Sequence, residues 1–383
     1  MSALPLLVVG HPAVLAINQL PYAALRAHGW EPFIVAPATW RHEYAQQSFG
    51  PQVLPALEGR VVGRRVALAG RVQRHVYLTS MSRVIADVRP AAAFVEAEPT
   101  SVPGFQWGRA LHHAGVPFGL QAAENLDREL PLPARLFRHW TLRHTAFLAA
   151  RSPAAAALAR RWYPPVEARV IPHHVPPWER VAAVPPRSAF VVGYAGRLVP
   201  EKGLDVLVEA AAGVDGLLLR FVGNGPERDG LAARARELGV ALEIDTGASH
   251  DTMAAAYAGF DVLALPSRTT PAWTEQFGRV LVEALLCGVP VVGADSGEIP
   301  WVIEVTGGGL TVPEGDPAAL RATLVRLRDD PPLRRRLAVH GREQVLARFS
   351  VEAVAREFDA ALRAAAGRQR SPAVGPKRAM ASR

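Results

Sequence analysis

Residues 190–211 read FVVGYAGRLVPEKGLDVLVEAA, and this stretch decides the fold. Phe190–Ala195 is a short apolar run of the kind that forms a buried parallel strand. Gly196 and Gly203 bracket a turn, and from about Lys202 the apolar residues recur at helical spacing. Strand, glycine-bearing turn and helix make one unit of a doubly wound α/β sheet. Ligands of such sheets bind beyond the C-terminal ends of the strands, where helix N-termini point. Arg197 and Lys202, five residues apart around that N-terminus, suit a diphosphate. An Arg197–Glu201 pair beside a solvated lysine is the plain structural alternative.

The same unit recurs in both directions. Apolar runs at Leu6–Gly10, Phe33–Ala36, Phe94–Glu96 and Phe118–Ala122 read as strands before it. Leu217–Val222, Asp261–Leu265 and Pro290–Val292 follow it. Helical patterns at Gln19–His28, Ala134–Ala149, Leu204–Ala212, Glu227–Leu238, Phe277–Cys287 and Pro317–Asp329 alternate with them. Residues 172–188, PHHVPPWERVAAVPPRS, carry five prolines, which belong neither in helices nor in central strands. The expectation is therefore α/β: two Rossmann-like doubly wound domains, residues 1–180 and 187–348, facing across a cleft. An amphipathic helix follows over about 349–366, and residues 367–383 read as a disordered basic tail.

Composition narrows the class. Of 383 residues, 49% are hydrophobic and 20% charged, as in an ordinary folded protein. A single cysteine, Cys287, forbids an internal disulfide and fits a reducing compartment. The N-terminus does not read as a signal peptide, and no uncharged apolar run reaches the ~20 residues of a membrane span. A cytoplasmic protein is expected. The net charge of +8 is uneven, with 19 arginines against 11 acids in residues 1–185 and five cations with no acid in the tail. A basic protein of this kind could bind nucleic acid, but there is no recognition motif and no interleaving of aromatic with basic residues, which argues against it. Lysine occurs only at 202 and 377, so arginine runs reflect the chain's general usage and Lys202 stands out.

Three further loops sit at strand-to-helix turns. Gly223-Asn224-Gly225-Pro226 follows the run ending at Val222 and is by itself an ordinary turn. Glu275-Gln276-Phe277-Gly278-Arg279-Val280-Leu281-Val282-Glu283 puts one carboxylate just before a helix and one inside it. Taken plainly, Glu275 serves the helix dipole and Glu283 pairs with Arg279 at i,i+4. Ser296-Gly297-Glu298-Ile299-Pro300 is a weaker turn of the same type.

Taken together, G-R-L-V-P-E-K-G-L-D, G-x-G-P, the Glu-x7-Glu stretch and S-G-E-I-P closely resemble the retaining nucleotide-sugar glycosyltransferases of family 4 (glycosyltransferases group 1). These have the GT-B fold. The likeness is strong over about 190–345 and general over the first half. It implies that Arg197 and Lys202 hold the donor diphosphate and stabilise charge as the C1–O bond breaks. Glu283 would accept the ribose hydroxyls and Glu275 would bind the donor sugar, and these two cations and Glu275 are the candidate catalytic residues. Gly10, Gly223, Asn224, Phe277, Gly278 and Arg279 would line the donor. The final helix would cross back onto the acceptor-binding N-terminal domain.

The resemblance further implies a UDP-linked sugar as co-substrate and no other cofactor. Metal independence follows from protein cations in place of an Asp-x-Asp motif, which the chain lacks. Adjacent histidine pairs, His112/His113 and His173/His174, do not share a helix face and make no metal site. The chain departs from the family at Gly10-His11-Pro12, at Pro172-His173-His174-Val175, and after Ala122, where Glu124-Asn125 stands. His11, Glu124 or Asn125 would complete the site. Arg60, Arg64, Arg65, Arg71, Arg74 and Arg83 could face a phosphorylated acceptor or an anionic membrane surface at its inner side. A solvated arginine face explains them as well. A nucleotide-sugar 2-epimerase or a non-catalytic sugar-nucleotide binding protein on the same fold are the alternatives.

Overall fold

The computed structural model describes residues 3–41, 48–178, 189–247 and 252–370. Seven parallel strands form the first sheet: β1 (Leu4–Val9), β2 (Trp30–Pro37), β3 (Val61–Arg64), β4 (Ala92–Val95), β5 (Phe118–Ala122), β6 (Phe147–Ala150) and β7 (Ala168–Val170). Their order is β7-β6-β5-β4-β1-β2-β3. Six parallel strands form the second: β8 (Phe190–Ala195), β9 (Leu217–Val222), β10 (Ala241–Asp245), β11 (Val262–Leu265), β12 (Val291–Ala294) and β13 (Gly309–Val312), in the order β10-β9-β8-β11-β12-β13. Each sheet thus winds outward from its first strand in both directions. The order reverses between β1 and β4 in one and between β8 and β11 in the other, and the crevice at such a point is where ligands bind.

The strands form where apolar runs can be buried on both faces. All of β4, β6, β8, β11 and β12 are buried. One core cluster fills the second domain, and two clusters lie on the opposite faces of the first sheet. The last helix, Val351–Arg370, puts Val354, Ala355, Phe358, Ala361, Leu362 and Ala365 into one of the latter. The Trp30 indole donates to its Asp359 carboxylate at 2.7 Å.

The strands β3, β7, β10 and β13 were not read from the sequence, and two boundaries also differ. The pattern over Ala134–Ala149 is a helix only to His144, and Phe147–Ala150 is strand β6. Phe-Leu-Ala-Ala has no strong preference of its own, and a fully buried slot between β5 and β7 overrides it. Residues 367–370, assigned to the tail, continue the last helix through Gly367. The remainder of the tail and the linker residues 179–188 lie outside the described residues.

Candidate functional site

In the second domain, the loops after β8 and β9 and the helix Arg279–Leu286 enclose a cavity of about 660 Å3. Arg197, Gly223, Asn224, Tyr257 and Glu283 line it. The backbone reaches this proximity through Gly223, whose φ is 145° and where a Cβ would lie 1.9 Å from the Gly196 carbonyl oxygen. Glu283 is 7% exposed and accepts a hydrogen bond from the Tyr257 hydroxyl at 2.7 Å. Burial first, and then the neighbouring carboxylate, hold that hydroxyl's pKa well above its ordinary value.

Lys202 and Glu275 meet beside this cavity. Lys202 closes the turn Pro200–Lys202, two residues before the helix Leu204–Ala211, so it stands ahead of that helix. Its Nζ lies 2.5 Å from Glu275 Oε2 and 4.8 Å from the centre of the Trp273 ring. The Ser267 hydroxyl also donates to Glu275 Oε2 (3.2 Å), and the Gly278 amide to Oε1 (3.3 Å). Glu275 is thus both dipole partner and ion-pair partner. Gly278, in the left-handed region, caps the helix that begins at Arg279, and Phe277 is buried against His173.

The first domain faces the cleft with a cavity of about 270 Å3. His11, Glu96, Glu98, Glu124, Arg151 and Arg279 are among its lining residues. Gly10 sits at the β1–β4 reversal, and a Cβ there would come within 2.7 Å of Glu96 Cβ, so the glycine lets Glu96 pass across the end of β1. The Arg151 guanidinium, 4% exposed, donates to Glu96 Oε1 (3.1 Å), Gln121 Oε1 (2.7 Å) and the Ile171 carbonyl (3.3 Å). Burial raises the Glu96 carboxyl, and Arg151 opposes that rise. Glu98, partly buried, accepts from the Ala123 amide at 2.7 Å. Crowding by protein, with Glu124 nearby, pushes its carboxyl up to about 7. Burial takes the His11 imidazole down to about 3 and His174 to about 4, so both rings are neutral.

The predicted residues are therefore divided. Arg197, Gly223, Asn224 and Glu283 share the larger cavity, Lys202, Glu275 and Gly278 form the bridge, and His11, Glu124 and Arg279 face the smaller one. Asn125 crosses the cleft, donating to the Glu275 carbonyl at 3.0 Å. None of the six arginines from Arg60 to Arg83 lines the smaller cavity. Glu96, Glu98 and Arg151 escaped the sequence reading. The available signal was a pair of acids, Glu-Ala-Glu, closing the wholly apolar strand Ala92–Val95. Among the described residues no cluster of histidine, cysteine and acidic groups could hold a metal ion. No described helix is long and apolar enough to cross a membrane.

Comparison with known proteins agrees with this geometry. Residues 179–344 match the family described as glycosyl transferases group 1. The lipopolysaccharide core biosynthesis glycosyltransferase LpsD of Rhizobium meliloti is 35% identical over 180 residues, 47% of this chain and 51% of that protein. The D-inositol 3-phosphate glycosyltransferase of Thermomonospora curvata is 34% identical over 168 residues, 40% of this chain and 38% of that protein. The chain thus spans about half or less of the length of these relatives. Anabaena HepE, solved in complex with UDP and glucose, superposes with a TM-score of 0.67 over 94% of this chain and 99% of that one, at 18% identity. The two facing Rossmann-like domains are the GT-B arrangement. The second domain of this chain is thus similar to group 1 glycosyl transferases, and the two domains together have the GT-B fold.

Proposed function

We propose that the chain transfers a sugar from a UDP-linked donor to a hydroxyl acceptor, with retention of anomeric configuration and without a metal ion. The observation that carries the reading is the Lys202–Glu275 pair beside a cavity lined by Arg197 and Glu283. HepE, which shares the fold and was solved with UDP and glucose bound, supports the same ligand class. In this reading the uridine ribose hydrogen-bonds to Glu283, and the diphosphate draws Lys202 partly away from Glu275 and onto its own oxygens. Arg197 and Lys202 stabilise the negative charge that develops as the C1–O bond breaks, the work a metal ion does elsewhere. Glu275, relieved of part of its ion pair, accepts from the sugar hydroxyls. The acceptor oxygen attacks C1 on the face the diphosphate leaves, and the departing phosphate oxygen takes its proton.

Thermal shift with UDP-, GDP- and TDP-sugars tests the donor, because a ligand that binds only the folded state raises its stability. UDP-sugars should give the largest shift. Turnover should survive EDTA, and the product should carry the donor's anomeric configuration by NMR. A strict Mn²⁺ requirement or an inverted product would refute the corresponding part of the mechanism.

A further inference from the structure

We propose that Trp273 is a positioning residue for donor binding, a proposal that rests on the donor reading above: its ring face holds the Lys202 ammonium while that ammonium moves from Glu275 to the donor diphosphate. Lys202 Nζ lies 4.8 Å from the centre of the Trp273 ring and 2.5 Å from Glu275 Oε2. The side chains of the ion pair are 13% and 11% exposed, so little water reaches the ammonium. Trp273 and Glu275, two residues apart, thus share one cation.

The loop that carries the ring is fixed without help from the lysine side chain. Gly203 has φ 63°, and a Cβ there would lie 2.2 Å from the Pro266 carbonyl oxygen, so the glycine lets the chain leaving β11 lie against the lysine turn. The Arg268 amide donates to the Glu201 carbonyl at 2.8 Å, and its guanidinium pairs with Asp205 at 2.7 Å. The Thr269 amide donates to Glu314 Oε1 at 2.6 Å, and its hydroxyl lies 2.9 Å from that of Ser296. Thr270 and Trp273 then exchange backbone hydrogen bonds, at 2.7 and 3.3 Å, which close a turn over Pro271 and Ala272. Backbone and neighbouring side chains therefore set the turn from which the ring projects, and none of these bonds uses the Lys202 ammonium.

An aromatic ring suits this task better than a second carboxylate. Glu275 competes with a diphosphate for the same positive charge, and its own charge repels the incoming phosphates. The indole face attracts a cation through its quadrupole, more strongly where water is excluded, and carries no net charge to oppose the donor. The attraction extends over the face of the ring, so it persists as Nζ shifts from the carboxylate to phosphate oxygens. Without the ring, the flexible four-carbon stem of Lys202 would have to be ordered by the diphosphate alone, and that ordering cost would come off the affinity.

The test titrates UDP into the full chain by calorimetry, with circular dichroism of each unliganded variant as the control for folding. Trp273→Leu, which keeps an apolar side chain without a π face, should weaken UDP binding about 5- to 30-fold. Trp273→Phe should stay within about threefold of wild type, since a ring is retained. In a Lys202→Ala background, Trp273→Leu should add less than about a twofold loss, because the residue it acts through is gone. Where Trp273→Leu does not fold, Trp273→Met takes its place in both comparisons. Three results would overturn the proposal: unchanged affinity in Trp273→Leu, a loss in Trp273→Phe as large as in Trp273→Leu, or the full loss persisting in the Lys202→Ala background. Unchanged UDP affinity in Lys202→Ala alone, or no UDP binding by the wild-type chain, would instead sink the donor reading beneath it.

Discussion

Lys202 and Glu275 neutralise each other at 2.5 Å on the second domain's side of the cleft, and Tyr257 donates to Glu283 beside them. On the first domain's side His11 Nδ1, His75 Nε2, the Tyr77 hydroxyl and the Trp107 indole NH are buried with no hydrogen-bond partner among the described residues. The rings of His11, Trp40, His75, Tyr77 and Trp107 form one chain of contacts behind that edge. Each unpaired buried group costs about 1–3 kcal/mol. The second domain therefore has internal partners that a charged ligand can replace. The first domain holds polar groups in place before any ligand arrives, supported by the surrounding aromatic packing and the Arg151 bonds.

The largest expected effect separates the two ion pairs. Arg151→Ala leaves Glu96 buried without its counter-ion and should lower stability by about 3–5 kcal/mol, read by denaturant unfolding. Lys202→Ala leaves Glu275 with Ser267 and the Gly278 amide, so its stability cost should be about 1–3 kcal/mol while turnover falls about 10²–10³-fold. A Lys202→Ala protein as unstable as Arg151→Ala would show that both pairs are structural and erase the contrast.

The contrast also explains what could be read from the chain. Arg197, Lys202, Glu275 and Glu283 lie in strand-to-helix turns, where a few consecutive residues fix the geometry and the spacing is visible along the sequence. Four of the second sheet's six strands followed from the same local signal, while its two edge strands, β10 and β13, were not read from the sequence. Glu96 and Arg151 stand 55 residues apart and meet only because β4, β5 and β6 lie side by side. No local pattern encodes that meeting. β6 itself was hidden for the same reason, since Phe-Leu-Ala-Ala becomes a strand through its neighbours. The arginine series was legible as charge, but its position relative to the cavity is a tertiary fact.

A middle-sized effect lies in pH dependence. Glu98 has its carboxyl raised to about 7, against an ordinary value of 4.5. Between these values the folded chain holds more proton at Glu98 than the unfolded chain, so this group's contribution to stability falls as pH rises through the window. His11 and His174, lowered to about 3 and about 4, act in the opposite sense below 6.5. Wild type therefore mixes the two trends, and the difference from Glu98→Gln isolates one. The variant should be nearly neutral at pH 4.5 and more stable than wild type by on the order of 2 kcal/mol at pH 8, discounted for partial exposure. A difference independent of pH would mean that Glu98 is charged throughout.

The smallest effect probes the seam between the two edges. Glu298 is 4% exposed at the start of the helix Ile299–Thr306 in the second domain. Its Oε1 accepts from the Ala154 amide at 3.2 Å, in the first turn of the helix Pro153–Trp162 in the first domain. Ser152 already caps that helix through Ala155, so the helix does not depend on Glu298 to form. What the carboxylate adds is a bond across the cleft, parallel to that from Asn125 to the Glu275 carbonyl. Glu298→Ala should accordingly cost only about 1 kcal/mol of global stability. Its effect should appear in domain closure, as a larger radius of gyration by X-ray scattering and a raised KM for the donor, with kcat little changed at saturation. Glu298→Gln retains an acceptor at the same place and should restore both. If the alanine variant instead loses kcat at unchanged KM and dimensions, Glu298 serves the reacting groups, and closure rests on Asn125 and the last helix.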